Sequence, residues 1–164
     1  MEKTTQPLTG THSDTASQHD QPKFIPVVVE QTFNAPVSKI WKAITDKNQM
    51  KEWYFETMDT FKPEVGFETE FNVHANNRDY LHKWRVTEVE PEKRITYIWT
   101  FGGYDGEWAV TFELSTENCN TKLTLTALGI ESFPPDNPDF SRESCTEGWN
   151  HFIRYRLKEF VNKE

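Results

Sequence analysis

CTEGWNHFIRYRLKEF, residues 145–160, is the stretch whose reading decides the fold. Its apolar residues Cys145, Trp149, Phe152, Ile153, Leu157 and Phe160 recur three and four positions apart, the spacing of one buried helical face. Arg156 stands inside that stripe. At about 100° per residue it projects between Phe152 and Phe160, toward whatever the helix covers. A guanidinium there suits a cavity under the helix, where it would pair with a ligand carboxylate or phosphate in a poorly solvated space. Two ordinary placements compete: a stem along the apolar surface with its head in water, or a pair with an inward-leaning Glu.

The preceding residues supply a surface for this helix to cover. From Phe67 to Ala127 the chain alternates with period two, and turn residues bound each run, which predicts an antiparallel meander. Phe67, Thr69, Phe71 and Val73 share one face of the first run, and Asn76-Asn77 turns it. Tyr80, His82, Trp84 and Val86 face inward on the next, which Pro91 ends. Ile95, Tyr97, Trp99 and Phe101 follow, then Trp108, Val110, Phe112 and Leu114, then Leu123, Leu125 and Ala127. Three prolines between Phe133 and Pro138 make the next segment a linking loop, and Ser144 with Glu147 forms the capping box expected to open the last helix.

Upstream, Ile25 to Phe33 reads as a strand and Pro36 suits a first helical position. Val37, Ile40, Trp41 and Ile44 then lie on one face of a short helix, and Asp46 with Gln49 predicts a capping box for a second, ending near Trp53. Residues 1–23 are rich in Thr, Gln, Ser, His and Asp, and too poor in apolar side chains to offset the entropy of ordering, so a disordered tail is expected there. His12 and His19 within it read as solvated. The remainder, 24–164, is one domain, with 12 Phe, 6 Trp and 5 Tyr to build its core. A net charge of −8 argues against nucleic acid or an anionic membrane surface as partner. No run is long enough to span a membrane and no apolar leader opens the chain, so a cytoplasmic location is expected. Cys119 in a turn and Cys145 in a helix make no disulfide framework.

One strand, two short helices, an antiparallel meander and a long last helix define an α+β arrangement in which a curved sheet wraps around the helix and leaves space between them. FNAPVSKIWKAITDKNQMKEWY (33–54), VTEVEPEKRITYIW (86–99), TKLTLTALG (121–129) and EGWNHFIRYRLKEFV (147–161) resemble the SRPBCC superfamily, also called START-like or Bet v 1-like. Within it, they are similar to the group related to the C-terminal domain of the heat shock protein 90 ATPase activator. The resemblance implies the helix-grip fold and a hydrophobic cavity. It carries no universal catalytic set and no cofactor. Its matched positions, Pro36, Trp41, Trp53, Pro91, Trp99 and Trp149, are framework. Trp84 stands where relatives carry a small residue, so its indole is expected to fill part of the cavity.

Trp53, Phe71, Trp84, Trp99, Trp108, Trp149, Phe152 and Ile153 are the candidate apolar lining, with a filled core as the competing outcome. Tyr80 and Tyr97 would add polar tips, and Arg156 a charge. His82 is placed by alternation on an aromatic inner face, where its ordinary pKa would suit proton transfer or a hydrogen bond to a ligand. No carboxylate at an interpretable spacing marks it as an activated base. His151 projects away from Cys145, which removes a nucleophile pair, and Gly102-Gly103 reads as a hairpin, not a phosphate cradle. Gly148 reads either as a point of close approach between helix and sheet or as a tolerated helix glycine. No metal cluster stands out. The leading expectation is a non-catalytic domain holding a small apolar or amphipathic ligand. The alternatives are a chaperone or other protein partner bound through the sheet surface, and a cyclase- or dehydratase-like enzyme using His82 with Arg156 orienting substrate.

Overall fold

Alternation of apolar and polar residues places Val27, Val29 and Phe33 inward on β1 (Val27–Phe33) in a computed structural model that describes residues 24–163. The expected disordered tail lies outside the described residues. The strand begins two residues later than its apolar run because Pro26 has no amide to give to a ladder. Pro36 is the N-cap of α1 (Val37–Thr45), not its first residue, and its carbonyl receives the amides of Lys39 and Ile40 at 3.0 and 3.4 Å. Ile40, Ala43 and Ile44 form the buried face. Asp46 caps α2 (Lys47–Trp53) by accepting from Asn48 and Gln49 at 2.8 and 3.2 Å. The box is one-sided because the Asp46 amide already donates to Lys42, at 2.9 Å, and closes α1.

The meander follows as β2 (Glu68–Ala75), β3 (Arg78–Glu90), β4 (Arg94–Phe101), β5 (Trp108–Glu117) and β6 (Asn120–Leu128). All neighbours are antiparallel in the order β1-β6-β5-β4-β3-β2, so β1 and β2, the first two strands of the sequence, are the two sheet edges and β1 covers the far end of the meander at β6. Tyr80, His82, Trp84 and Val86 are buried as alternation requires. The register then shifts between Val86 and Glu88, so that Val89 instead of Glu88 returns to the inner face. Asn76 and Asn77 both take positive φ in the β2–β3 turn, the backbone a tight hairpin needs.

Between β6 and the last helix two single 3-10 turns, Ile130–Ser132 and Pro138–Phe140, flank the proline-rich segment, and the second begins at Pro138, the last residue of the expected irregular loop. The second turn delivers the chain to Ser141, whose Oγ accepts from the Ser144 amide at 3.1 Å. Helix α3 (Arg142–Asn150) is therefore capped by Ser141, three residues before the expected Ser144. It continues through a π-helical segment, His151–Leu157, into α4 (Lys158–Asn162). The combined helix lies across the concave face, burying Trp149, Ile153, Leu157, Phe160 and Val161.

The turn out of β6 depends on Gly129. Its φ is +117°, and a Cβ there would sit 2.5 Å from the Glu107 carbonyl oxygen and 3.1 Å from the Trp108 Cα. Both obstacles are backbone, so neither yields easily. Gly129→Ala is expected to lower unfolding free energy by about 1–3 kcal/mol, read as a reduced urea midpoint with unchanged slope.

Candidate functional site

Helix α3 does not fill the concave sheet. Along its cavity side stand Ser144, Cys145 and Gly148, all small, beside Trp149 and Phe152. A cavity of about 280 Å³ remains beneath them. The opposing wall comes from His82, Trp99, Phe101 and Trp108 on the sheet, with Phe55 from the segment after α2. Gly148 does not serve close helix–sheet approach: a Cβ added there meets nothing within 4 Å. Its missing side chain is part of the space.

Three indoles pack around this cavity in a triangle. Trp99 lies 5.7 Å from Trp149 and 5.8 Å from Trp108, and Trp108 lies 5.9 Å from Trp149, centroid to centroid. These separations fall in the favourable range for tilted and edge-to-face aromatic pairs. Phe133 and Phe140 stack on each other at 5.0 Å and carry the proline-rich loop over one side.

The mouth is polar and fully partnered. Tyr80 donates to Asp139 Oδ2 at 2.6 Å and Asn76 Nδ2 donates to Asp139 Oδ1 at 3.0 Å. Asn137 Nδ2 donates to the Tyr80 hydroxyl at 3.1 Å, while Arg78 Nη1 donates to Asn137 Oδ1 at 3.1 Å. The β2–β3 hairpin is thereby tied to the loop preceding α3.

Six of the twelve residues singled out from sequence line the cavity: Tyr80, His82, Trp99, Trp108, Trp149 and Phe152. The other six stand elsewhere. Trp84 is stacked on Tyr97 at 4.4 Å, behind the wall, and does not occupy the cavity. The Tyr97 hydroxyl is spent on Tyr54, 2.9 Å away, and burial pushes both phenols up from their ordinary pKa. Trp53 donates from Nε1 to the Ala43 carbonyl at 2.8 Å, joining α1 to α2. Phe71 lies behind His82, ring centroids 5.3 Å apart, and Ile153 is sealed between helix and sheet.

Arg156 departs furthest from its expected place. Its Nη2 donates to the Glu52 carbonyl at 2.8 Å, near the C-terminus of α2, where a helix leaves carbonyls without partners. The π-helical segment explains the change of direction. Its i→i+5 bonding closes a wider turn than an α-helix, so residues four apart no longer stand one above another. Arg156 nonetheless stays beside Phe152, whose ring packs against Trp53 and Tyr54 at the same end of α2, so its stem follows the apolar stripe and its head turns outward, the ordinary placement.

Phe55, Val73, Phe101, Phe133, Asp139 and Phe140 complete the site without having been singled out for it. Phe101 shares the inner alternation of β4. Phe133 and Phe140 carried a usable signal, two large apolar rings in a segment otherwise composed for solvent. Asp139 had none, because its role comes from contacts with residues about sixty positions away.

Chemically the site is suited to holding a molecule. Burial drives the His82 imidazole down to about 3, so it is neutral at physiological pH, and it forms no hydrogen bond to a carboxylate that could activate it. Burial likewise pushes the Cys145 thiol up to about 12, which keeps it protonated and a poor nucleophile. Among the described residues no group of three or more His, Cys, Asp or Glu side chains could hold a metal, and no helix is long and apolar enough to cross a membrane.

This curved antiparallel sheet gripping one long helix is the helix-grip fold of the SRPBCC superfamily. Comparison of the sequence makes the assignment specific. The chain belongs to the family described as activator of Hsp90 ATPase homolog 1-like protein, whose model matches residues 34–162. No curated protein gives a significant match. Among solved structures, protein MLL2253 from Mesorhizobium loti is 29% identical with a TM-score of 0.65, over 85% of this chain and 98% of that one. Protein CV1439 from Chromobacterium violaceum shares the fold at 20% identity and a TM-score of 0.70, over 85% and 98%. DynU16, described as a putative protein in the dynemicin biosynthetic locus, has 24% identity and a TM-score of 0.66. The match covers 84% of this chain but 47% of DynU16, so this chain spans about half its length.

His82 makes a pH test of the buried wall. Its folded pKa of about 3 lies below the ordinary 6.5, so as pH falls between these values the unfolded chain takes up a proton that the folded protein refuses. Stability is full above 6.5 and declines toward 3, with a limiting slope of about 1.4 kcal/mol per pH unit from this residue. Urea midpoints at pH 7 and pH 5 are expected to differ more in the parent protein than in His82→Phe. Equal differences would assign the acid sensitivity to other groups.

Proposed function

We propose that this domain binds a small apolar or amphipathic molecule in the cavity between α3 and the concave sheet. The unfilled space of about 280 Å³ carries the reading. Protein interiors pack closely and rarely leave voids larger than a water molecule. A space of this size, walled by aromatic rings and open on one side, offers an apolar molecule a seat, and it lies near the small end of the usual ligand-pocket range of about 300–1,000 Å³. The apolar walls with one polar mouth match a molecule whose body is apolar and whose end is hydrated.

The family match favours a second reading, a protein partner of the chaperone type. That partner would meet the outer, solvent-facing side of the sheet, where Val28 and Leu128 are exposed on β1 and β6. The two readings place function on opposite faces of the same sheet. A change confined to the cavity separates them.

Gly148 provides that change, since a side chain there enters open space. Native mass spectrometry of gently purified protein is expected to show a small-molecule adduct that is lost in Gly148→Leu and retained in Gly148→Ala. The alanine variant should also gain about 0.5–1 kcal/mol of stability from helix propensity. An adduct equally abundant in the leucine variant would overturn the cavity as its seat. Stimulation of a chaperone ATPase that survives Gly148→Leu would support the outer-face reading instead.

A further inference from the structure

Among the described residues, the buried side-chain nitrogens without a hydrogen-bond partner are His82 Nδ1, Trp84 Nε1, Trp99 Nε1 and Trp108 Nε1. Three of these belong to cavity-lining residues. These atoms are enclosed and out of reach of a molecule in the cavity, so what bears on recognition is the second ring nitrogen of His82.

His82 is the most telling of them. It is 7% exposed, and its ring is enclosed by Phe55, Phe71, Trp99 and Phe101 at centroid separations of 5.1, 5.3, 5.3 and 4.8 Å. None of these neighbours hydrogen-bonds to it. Nδ1 is sealed off, whereas Nε2, equally without a protein partner, is the nitrogen still reachable from the cavity. A neutral imidazole offers one donor and one acceptor.

The charges around the space restrict what can enter it. Asp139 is the one lining residue that carries a charge, and its carboxylate already accepts from Tyr80 and Asn76. No lysine or arginine lines the cavity, Arg156 being engaged at the end of α2. An anionic ligand group held inside would lose its water and find no counter-charge among the lining residues, while the Arg78 guanidinium at the mouth is already paired with Asp139 Oδ2 at 3.7 Å. Nor does His82 gain a compensating proton, since burial holds it neutral down to about pH 3.

We propose that the cavity selects an uncharged ligand with a planar apolar body and a hydroxyl or carbonyl group, and that His82 is the specificity-determining residue that hydrogen-bonds this group through Nε2. This inference rests on the cavity being a ligand site. It narrows the amphipathic class to members without an ionised head. The aromatic walls favour a flat body because rings can stack or meet it edge-on at close range.

Three probes with one ring system test it: naphthalene, 2-naphthol and 2-naphthoate, titrated into the full chain and followed by the indole N–H signals of Trp99 and Trp108. In the parent protein 2-naphthoate is expected to bind at least about tenfold more weakly than 2-naphthol, since its charge is buried without a partner. His82→Phe should lower the preference for 2-naphthol over naphthalene about threefold to tenfold, the loss of one neutral hydrogen bond, whatever the larger ring does to both affinities alike. His82→Gln, which keeps a donor and an acceptor, should recover most of the 2-naphthol preference. Should His82→Phe fail to fold, the parent-protein comparison of 2-naphthol with 2-naphthoate still decides. Equal binding of these two, or a 2-naphthol preference indifferent to His82→Phe, overturns the inference while leaving the cavity as a ligand site. If neither naphthalene nor 2-naphthol binds the parent protein, the ligand-site reading falls, and the role of His82 with it.

Discussion

The structure depends on one constraint: a single helix must cover a curved aromatic sheet, and its two halves meet that demand differently. Along α4 and the preceding π-helical segment, Ile153, Leu157, Phe160 and Val161 are large enough to close against the sheet. Along α3, Ser144, Cys145 and Gly148 are not. The gripping helix is thus sealed at one end and held away from the sheet at the other by the breadth of Trp149 and Phe152. Fold stability and cavity come from the same element, divided by side-chain size.

The polar groups follow this division. At the sealed end they complete backbone: Trp53 joins α1 to α2, Arg156 satisfies a carbonyl near the end of α2, and Arg154 donates to the Glu30 carbonyl at 3.2 Å on the edge strand β1. The last contact matters because an edge strand exposes groups that would otherwise invite pairing with another chain. At the open end Asp139, Tyr80 and Asn76 complete one another across the mouth, while His82, Trp99 and Trp108 are left incomplete around the space. Of the four enclosed nitrogens without a partner among the described residues, three belong to residues that line this cavity and the fourth, Trp84 Nε1, lies behind its wall.

Much of the fold was legible because period two is a strong signal when large residues alternate with charged ones. The inner faces of β3, β4 and β5 follow from spacing alone, down to the burial of His82. Helix ends were less legible. Which serine caps α3 depends on the 3-10 turn that feeds it, and whether Asp46 has a free amide depends on the helix before it. The candidate site was half legible, for a related reason. Alternation says which side chains point inward but not which inward side chains touch one another: Trp84 and Tyr97 consume each other's surface, whereas Trp99 and Trp108 keep some free. For Arg156 spacing left the pocket and the outward placement both open, because phase fixes where the stem leaves the helix but not which carbonyl its long side chain reaches.

The Trp99, Trp108 and Trp149 triangle has an optical consequence. Three indoles within 6 Å of one another, held at fixed tilts by helix and sheet, couple as chromophores. Their near-ultraviolet circular dichroism reports on the mutual orientation of the two structural layers, a signal that survives only while specific tertiary packing does. Because all three also border the cavity, the same bands respond to whatever lies inside it. The protein carries its own unlabelled gauge of grip and occupancy.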